Sequence, residues 1–255
     1  MKTILFVLLT IFAFQLNAQQ VKNPFHEHLQ KLHEKGKFNG TALVIKHDSV
    51  ILKRAYGVID KDSSALLQTN TLFRVASLSK AFTAVAIMQQ KEQSKLHLNQ
   101  TIDEIIPNFP YKGITIKQLL THTSGLPDYL KWMWLNWKPK LKYWDTNRYI
   151  TNGDSIFDVF MNSGKPLLFK PGKKWKYSNT GYHILVQILE KTSGLSYKDY
   201  IQKNILNPLG MNGTKFDDPV DICCNYETAK RAYGYLKINK NKNVQNENHF
   251  INPFA

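Results

Sequence analysis

Phe73-Arg74-Val75-Ala76-Ser77-Leu78-Ser79-Lys80 opens the most hydrophobic helix-like stretch beyond residue 18 of this 255-residue chain. From Ser77 to about Gln93 the pattern predicts a helix. Leu78, Phe82, Val85 and Met88 fall at helical spacing as one apolar stripe, with alanines between them. Residues three apart share a helix face, so Lys80 is expected one turn above Ser77. A serine is a weak nucleophile until a neighbour takes its proton, and a lysine that is partly desolvated beside other cations can do so. The free N–H groups and positive dipole of a helix start favour an oxyanion. Taken alone, Ser-x-x-Lys is a short motif that chance supplies readily. What strengthens it is its place: a lysine in the first turn of a helix patterned for burial is costly unless it has a task or a partner.

A second polar cluster, Lys176-Tyr177-Ser178-Asn179-Thr180, also stands just before a helical pattern. Tyrosine can relay a proton if nearby lysines draw down its pKa, and asparagine can hold a carbonyl and an ammonium together. The plain alternatives are an aromatic core residue for Tyr177 and a helix N-cap for Asn179. The helix spans about 179–191, with Tyr182, Leu185, Val186 and Leu189 apolar and Gly194 just past its end. Capping boxes mark three further helices, at Thr101 with Glu104, Thr115 with Gln118 and Ser196 with Asp199. The turn at 123–127 reads as a helix stop rather than as part of a site wall. Upstream, 41–46 and 50–56 flank the turn residues His47-Asp48-Ser49 and predict a β-hairpin. Residues 232–238 form another strand-like run. One hairpin cannot stand as a sheet.

Residues 1–18 have the makeup of a secretory signal peptide: Lys2, an apolar run from Ile4 to Leu16, and Ala18 before the polar Gln19-Gln20. Cleavage after Ala18 is expected, leaving 19–255 as one exported domain, secreted or periplasmic, with no stable membrane insertion. Losing Lys2 lowers the formal charge from +15 to +14. Such a charge on an exported chain suits anionic envelope polymers; nucleic acid is not expected. The 43% hydrophobic content supports a real core and excludes a disordered or fibrous chain. The only two cysteines, Cys223 and Cys224, are adjacent, a spacing that reaches disulfide geometry only with strain. No Cys/His spacing resembles a zinc site. Four of the five tryptophans lie in 131–144 among lysines, either as a substrate-facing wall or as a loop clamped to the core.

Taken together, four stretches in register resemble the serine β-lactamase and penicillin-binding-protein superfamily, and within it the class C β-lactamase-like serine hydrolases. They are 73–80 (F-R-V-A-S-L-S-K), 116–126 (I-K-Q-L-L-T-H-T-S-G-L), 169–182 (F-K-P-G-K-K-W-K-Y-S-N-T-G-Y) and 205–211 (I-L-N-P-L-G-M). The resemblance implies an α+β fold, an antiparallel sheet with an N-terminal hairpin plus an all-α region. It implies Ser77 as the acylated nucleophile, Lys80 as its base partner and Tyr177 as a second acid/base group. Asn179 would orient the substrate and Lys80. No metal or cofactor is implied. The substrate would be a small molecule or peptide, peptidoglycan-derived fragments included, carrying a β-lactam, D-amino-acid amide or ester bond. No oligomeric state follows.

One departure stands out. The family's third motif, K-[ST]-G or H-x-G, does not occur after Asn179. That strand supplies an oxyanion donor in the family, and losing such a donor typically costs about 10²–10³ in turnover. The expectation is therefore an N-terminal portion of a longer protein whose sheet lacks its closing strands. The competing expectation is a non-catalytic envelope-binding module that keeps a degenerate form of the fold.

Overall fold

The computed structural model describes residues 23–59, 64–131, 161–216, 232, 234–239 and 242–246. The leader, the tryptophans at 132–144 and the cysteine pair fall outside these residues. The chain divides into two compact units, Met1–Thr71 with Lys230–Tyr233, and Leu72–Ala229 with Gly234–Ala255.

The first unit holds a helix and a hairpin. Helix α1 (Pro24–Glu34) starts at Asn23, whose side-chain oxygen accepts from the N–H groups of Phe25 and His26. Proline at the first helical position after an asparagine cap is a strong start pattern. Strands β1 (Gly40–Lys46) and β2 (Ser49–Tyr56) pair antiparallel through a two-residue turn. Each begins one residue earlier than the run of β-branched residues suggests: Gly40 pairs with Tyr56, and Ser49 pairs with Lys46 instead of sitting in the turn. His47 and Asp48 carry the turn with φ of 46° and 60°, left-handed as a tight hairpin with right-twisted strands requires. Tyr56 ends β2 buried, its ring against Phe38 and its hydroxyl 3.0 Å from His26 Nδ1. Asn39 closes the far end, donating to the Val58 carbonyl and accepting from its N–H. Gly57 (φ 92°) is required there, since a Cβ would run into the Asn39 side chain.

The second unit is built on helices. A 3₁₀ turn (Ala76–Leu78) leads into α2 (Ser79–Glu92); α3 (Ile102–Ile105), α4 (Ile116–Leu120), α5 (Asn179–Ser193) and α6 (Tyr197–Ile201) follow, and α6 runs on into a π turn (Gln202–Leu206). Helix α5 is the hub, packing on α2, α3, α4 and α6. Ile87, Ile102, Ile116, Leu119, Ile184, Leu185 and Ile188 form a fully buried centre. The capping boxes at Thr101 and Thr115 both form, and the Ser196 hydroxyl accepts from the Asp199 N–H. Gly194 ends α5 in a left-handed conformation. Strands β3 (Gly234–Asn239) and β4 (Lys242–Asn246) make a second antiparallel hairpin. Its second strand, K-N-V-Q-N, is too polar to stand out by pattern. The result is an α+β fold with β-lactamase-like organisation.

Two expectations for α2 need correction. Ser77 lies in the 3₁₀ turn ahead of the α-helix rather than in its first turn. The apolar stripe is also not the buried face: Leu78 is 70% exposed and Val85 47%, whereas Thr83, Ala86, Ile87 and Gln90 are buried. The polar members of that face find partners. Thr83 Oγ1 lies 2.9 Å from the Tyr197 hydroxyl, and the Gln90 amide donates to the Tyr200 hydroxyl at 3.0 Å. Such pairing offsets the desolvation cost of the Thr83 hydroxyl and the Gln90 amide nitrogen, while Gln90 Oε1 is buried without a hydrogen-bond partner among the described residues. None of the described helices is long and apolar enough to cross a membrane.

Candidate active site

The 3₁₀ turn lifts Ser77 to the surface directly after Ala76, a non-glycine residue at φ 43°. Left-handed backbone at such a residue is strained, and strain of this kind concentrates at functional positions. Lys80 follows in the first turn of α2 and donates from Nζ to Ser77 Oγ at 3.2 Å. From 100 residues away Tyr177 brings its hydroxyl to 2.7 Å from the same oxygen. Ser77 Oγ thus sits between an amine and a phenol, and Ser77 and Tyr177 are both open to solvent. The Lys80 ammonium also lies 5.2 Å from the centre of the Tyr177 ring and 5.7 Å from that of Tyr182. Among the described residues no carboxylate lies within ion-pair distance of it. Aromatic faces are therefore its charge-stabilising neighbours.

Tyr177 is carried by the segment leading into α5. Ser178, not Asn179, is the N-cap; its hydroxyl accepts from the Gly181 N–H. Asn179 is the first helical residue. Its backbone N–H and its side-chain Nδ2 both donate to Asp128 Oδ2, at 2.7 and 2.9 Å. Asn179 therefore stands beside the site, but its amide is held by Asp128, and no hydrogen bond joins it to Lys80 among the described residues.

The 123–127 turn does more than stop α4. Its carbonyls accept from the segment that carries Tyr177: Leu168 N–H to Gly125, and Gly172 N–H to Thr123, both at 2.8 Å. Just ahead of it, the His122 carbonyl accepts from the Lys176 N–H at 2.9 Å. Gly125 (φ 78°) admits this approach because a Cβ would strike the Phe169 carbonyl. The His122 ring lies 4.6 Å from the Tyr177 ring, tilted by 34°, and 5.1 Å from the Tyr182 ring. Its Nδ1 accepts from the Ser178 N–H at 3.2 Å, which places the imidazole proton on Nε2. Burial, reinforced by the Lys80 charge, holds the His122 pKa below its ordinary value; the Asp128 carboxylate opposes this. Burial, with Tyr177 adding to it, pushes the Tyr182 hydroxyl up. His122 and Asp128 are the site neighbours that pattern reading passes over. Both flank a turn whose motif residues have an ordinary helix-stop explanation.

Among the described residues no group of three or more His, Cys, Asp or Glu side chains is placed to hold a metal ion. The beta-lactamase family profile matches residues 25–249. The chain belongs to the beta-lactamase family. This is the superfamily that the four stretches in register resemble. Penicillin-binding protein 4* of Bacillus subtilis is 42% identical over 199 residues, covering 76% of this chain and 42% of that protein. Protein flp of Staphylococcus aureus strain MW2 is 32% identical over 225 residues, covering 85% and 41%. Among solved structures, a penicillin-binding protein from Bacillus halodurans superposes with a TM-score of 0.68 at 27% identity, covering 86% of this chain and 63% of that one. A class C beta-lactamase in complex with cefoxitin gives 0.64 at 27% identity, covering 86% and 56%. The chain spans 42% and 41% of the length of these two curated relatives.

Proposed function

We propose that this family member is an exported serine hydrolase that forms an acyl-enzyme on Ser77 with amide or ester substrates. The observation that carries the reading is the Ser77 oxygen held between Lys80 Nζ and the Tyr177 hydroxyl. Lys80 donates to that oxygen, and the Ser77 and Tyr177 hydroxyls share a hydrogen bond along which a proton can pass. With one member of the Lys80–Tyr177 pair unprotonated, as free amine or phenolate, Ser77 Oγ bonds to the substrate carbonyl carbon, its proton passes to that member, and the carbonyl π pair moves onto the oxygen. The departing amine or alkoxide then takes a proton from Tyr177 as its bond to carbon breaks. In the second half a water gives its proton to the same group, attacks the ester carbonyl and returns Ser77 to its hydroxyl form. Asn179 contacts the substrate. Helix-start N–H groups and the neighbouring cation stabilise the oxyanion.

The names of the relatives, penicillin-binding proteins and a class C beta-lactamase with bound cefoxitin, support β-lactam or D-amino-acid amide substrates, with esters as the chemically adjacent class. The 1–18 leader supports export with cleavage after Ala18, and an envelope location supports peptidoglycan-derived substrates. Residues 19–255 form the mature β-lactamase-related portion. A fluorescent penicillin or a fluorophosphonate probe tests the reading: the intact protein is labelled covalently, and Ser77→Ala is not. Equal labelling of the two proteins, or reversible envelope binding with no adduct, overturns it.

A further inference from the structure

Among the described residues, Asp128 accepts hydrogen bonds from N–H groups on two different segments. Oδ1 accepts from the backbone of Leu130 at 3.0 Å and Lys131 at 3.2 Å. Oδ2 accepts from the backbone and the side-chain nitrogen of Asn179. The next residues repeat the tie: the Tyr129 N–H donates to Thr180 Oγ1 at 2.9 Å, and that hydroxyl donates to the Pro127 carbonyl at 2.7 Å. A carboxylate receiving N–H donors decides which way an asparagine amide is turned, because only Nδ2 can face it. We infer that Asp128 is a positioning residue for the Ser77 site, locking the Asn179 amide nitrogen inward so that Asn179 offers its carbonyl oxygen, an acceptor, to substrate or to Lys80.

This inference rests on the reading of Ser77 as nucleophile for its kinetic consequence, but not for the lock itself. The lock predicts two separable roles for one side chain, a cap through Oδ1 and an amide clamp through Oδ2. Asp128→Ser keeps one oxygen suited to capping Leu130 and Lys131 and leaves Asn179 unheld. Asp128→Asn keeps the shape but sets an NH₂ group against either the cap or the clamp.

The test uses the intact protein and two readouts. Solvent exchange of the Asn179 side-chain amide protons, assigned by their loss in Asn179→Ala, is slow in the wild type and fast in Asp128→Ser. Ser77 acylation by a fluorescent penicillin falls by about 10-fold to 100-fold in Asp128→Ser and in Asn179→Ala, as loss of orientation does. The double variant is then no slower than Asn179→Ala alone, because both changes remove the same interaction. Equally fast exchange in wild type and Asp128→Ser overturns the lock. Wild-type acylation by Asp128→Ser, or an undiminished further loss in the double variant, overturns the positioning role. Absence of acylation in the wild type refutes the nucleophile assignment, while the exchange measurement still decides the lock.

Discussion

The two helix starts that meet at the site are built in opposite ways. Helix α2 begins through a 3₁₀ turn with no side-chain cap, a left-handed Ala76 and exposed residues at 75–78. Helix α5 begins with the Ser178 cap, Asn179 bound twice to Asp128, and Thr180 fully buried between Tyr129 and Pro127. One start exposes a hydroxyl with few restraints of its own. The other over-determines the groups that face it. A nucleophile needs access, whereas the groups that take its proton and orient the substrate need fixed geometry, so chemistry is divided between an open start and a clamped one.

The sharpest way to break this division is at the groups that touch Ser77. Lys80→Ala and Tyr177→Phe are expected to slow acylation by about 10²–10⁴ without altering thermal stability by more than a few degrees, the usual reach of a general acid/base. Tyr177→Phe keeps the ring against His122 and removes only the hydroxyl, so a large effect there isolates proton transfer from packing. Single-turnover labelling kinetics measure both.

The clamped start also carries a buried base. Burial holds the His183 pKa down to about 4 against an ordinary 6.5. The unfolded chain takes up this proton below pH 6.5, but the folded one does not until about pH 4. The neutral imidazole therefore contributes fully above pH 6.5, and stability falls by roughly 3 kcal/mol as pH drops through that window. His183→Leu is expected to flatten the dependence of the urea midpoint between pH 7 and pH 4. An unchanged slope removes His183 from the account.

Smaller effects separate the two starts by sign. Thr180→Val removes the hydroxyl that bonds the Tyr129 N–H and the Pro127 carbonyl and is expected to cost about 1–3 kcal/mol in denaturant unfolding. Ala76→Gly relieves left-handed strain in the open start, and its expected effect is a gain of under about 1 kcal/mol, the relief being partly offset by the flexibility of glycine when unfolded. If both substitutions destabilise alike, the contrast between the starts fails.

Much of this arrangement was legible from local chemistry. Ser77, Lys80 and Tyr177 belong to short motifs in family order, and the structure brings all three together. The hairpin turn, the capping boxes and Gly194 are written in neighbouring residues. The buried face of α2 is not, because Thr83 and Gln90 are buried on the strength of tyrosines more than 100 residues away. Asp128 and His122 escape for the same reason: their partners, Asn179, Tyr177 and Ser178, are distant in sequence. Helix α1 was legible in principle, through Asn23-Pro24, but its surface character offers no buried stripe.

The most direct test compares Ser77 with its neighbour Ser79, which shares the same six-residue tryptic peptide, 75–80. The Ser79 hydroxyl donates to the Ala76 carbonyl at 2.7 Å, whereas the Ser77 hydroxyl faces Tyr177 and Lys80. After reaction with a fluorophosphonate, fragmentation of that peptide is expected to place the adduct on Ser77 alone, and Lys80→Ala, whose tryptic peptide runs on to Lys91, to diminish the adduct yield. An adduct on Ser79, on another peptide, or formed equally well without Lys80 contradicts the account.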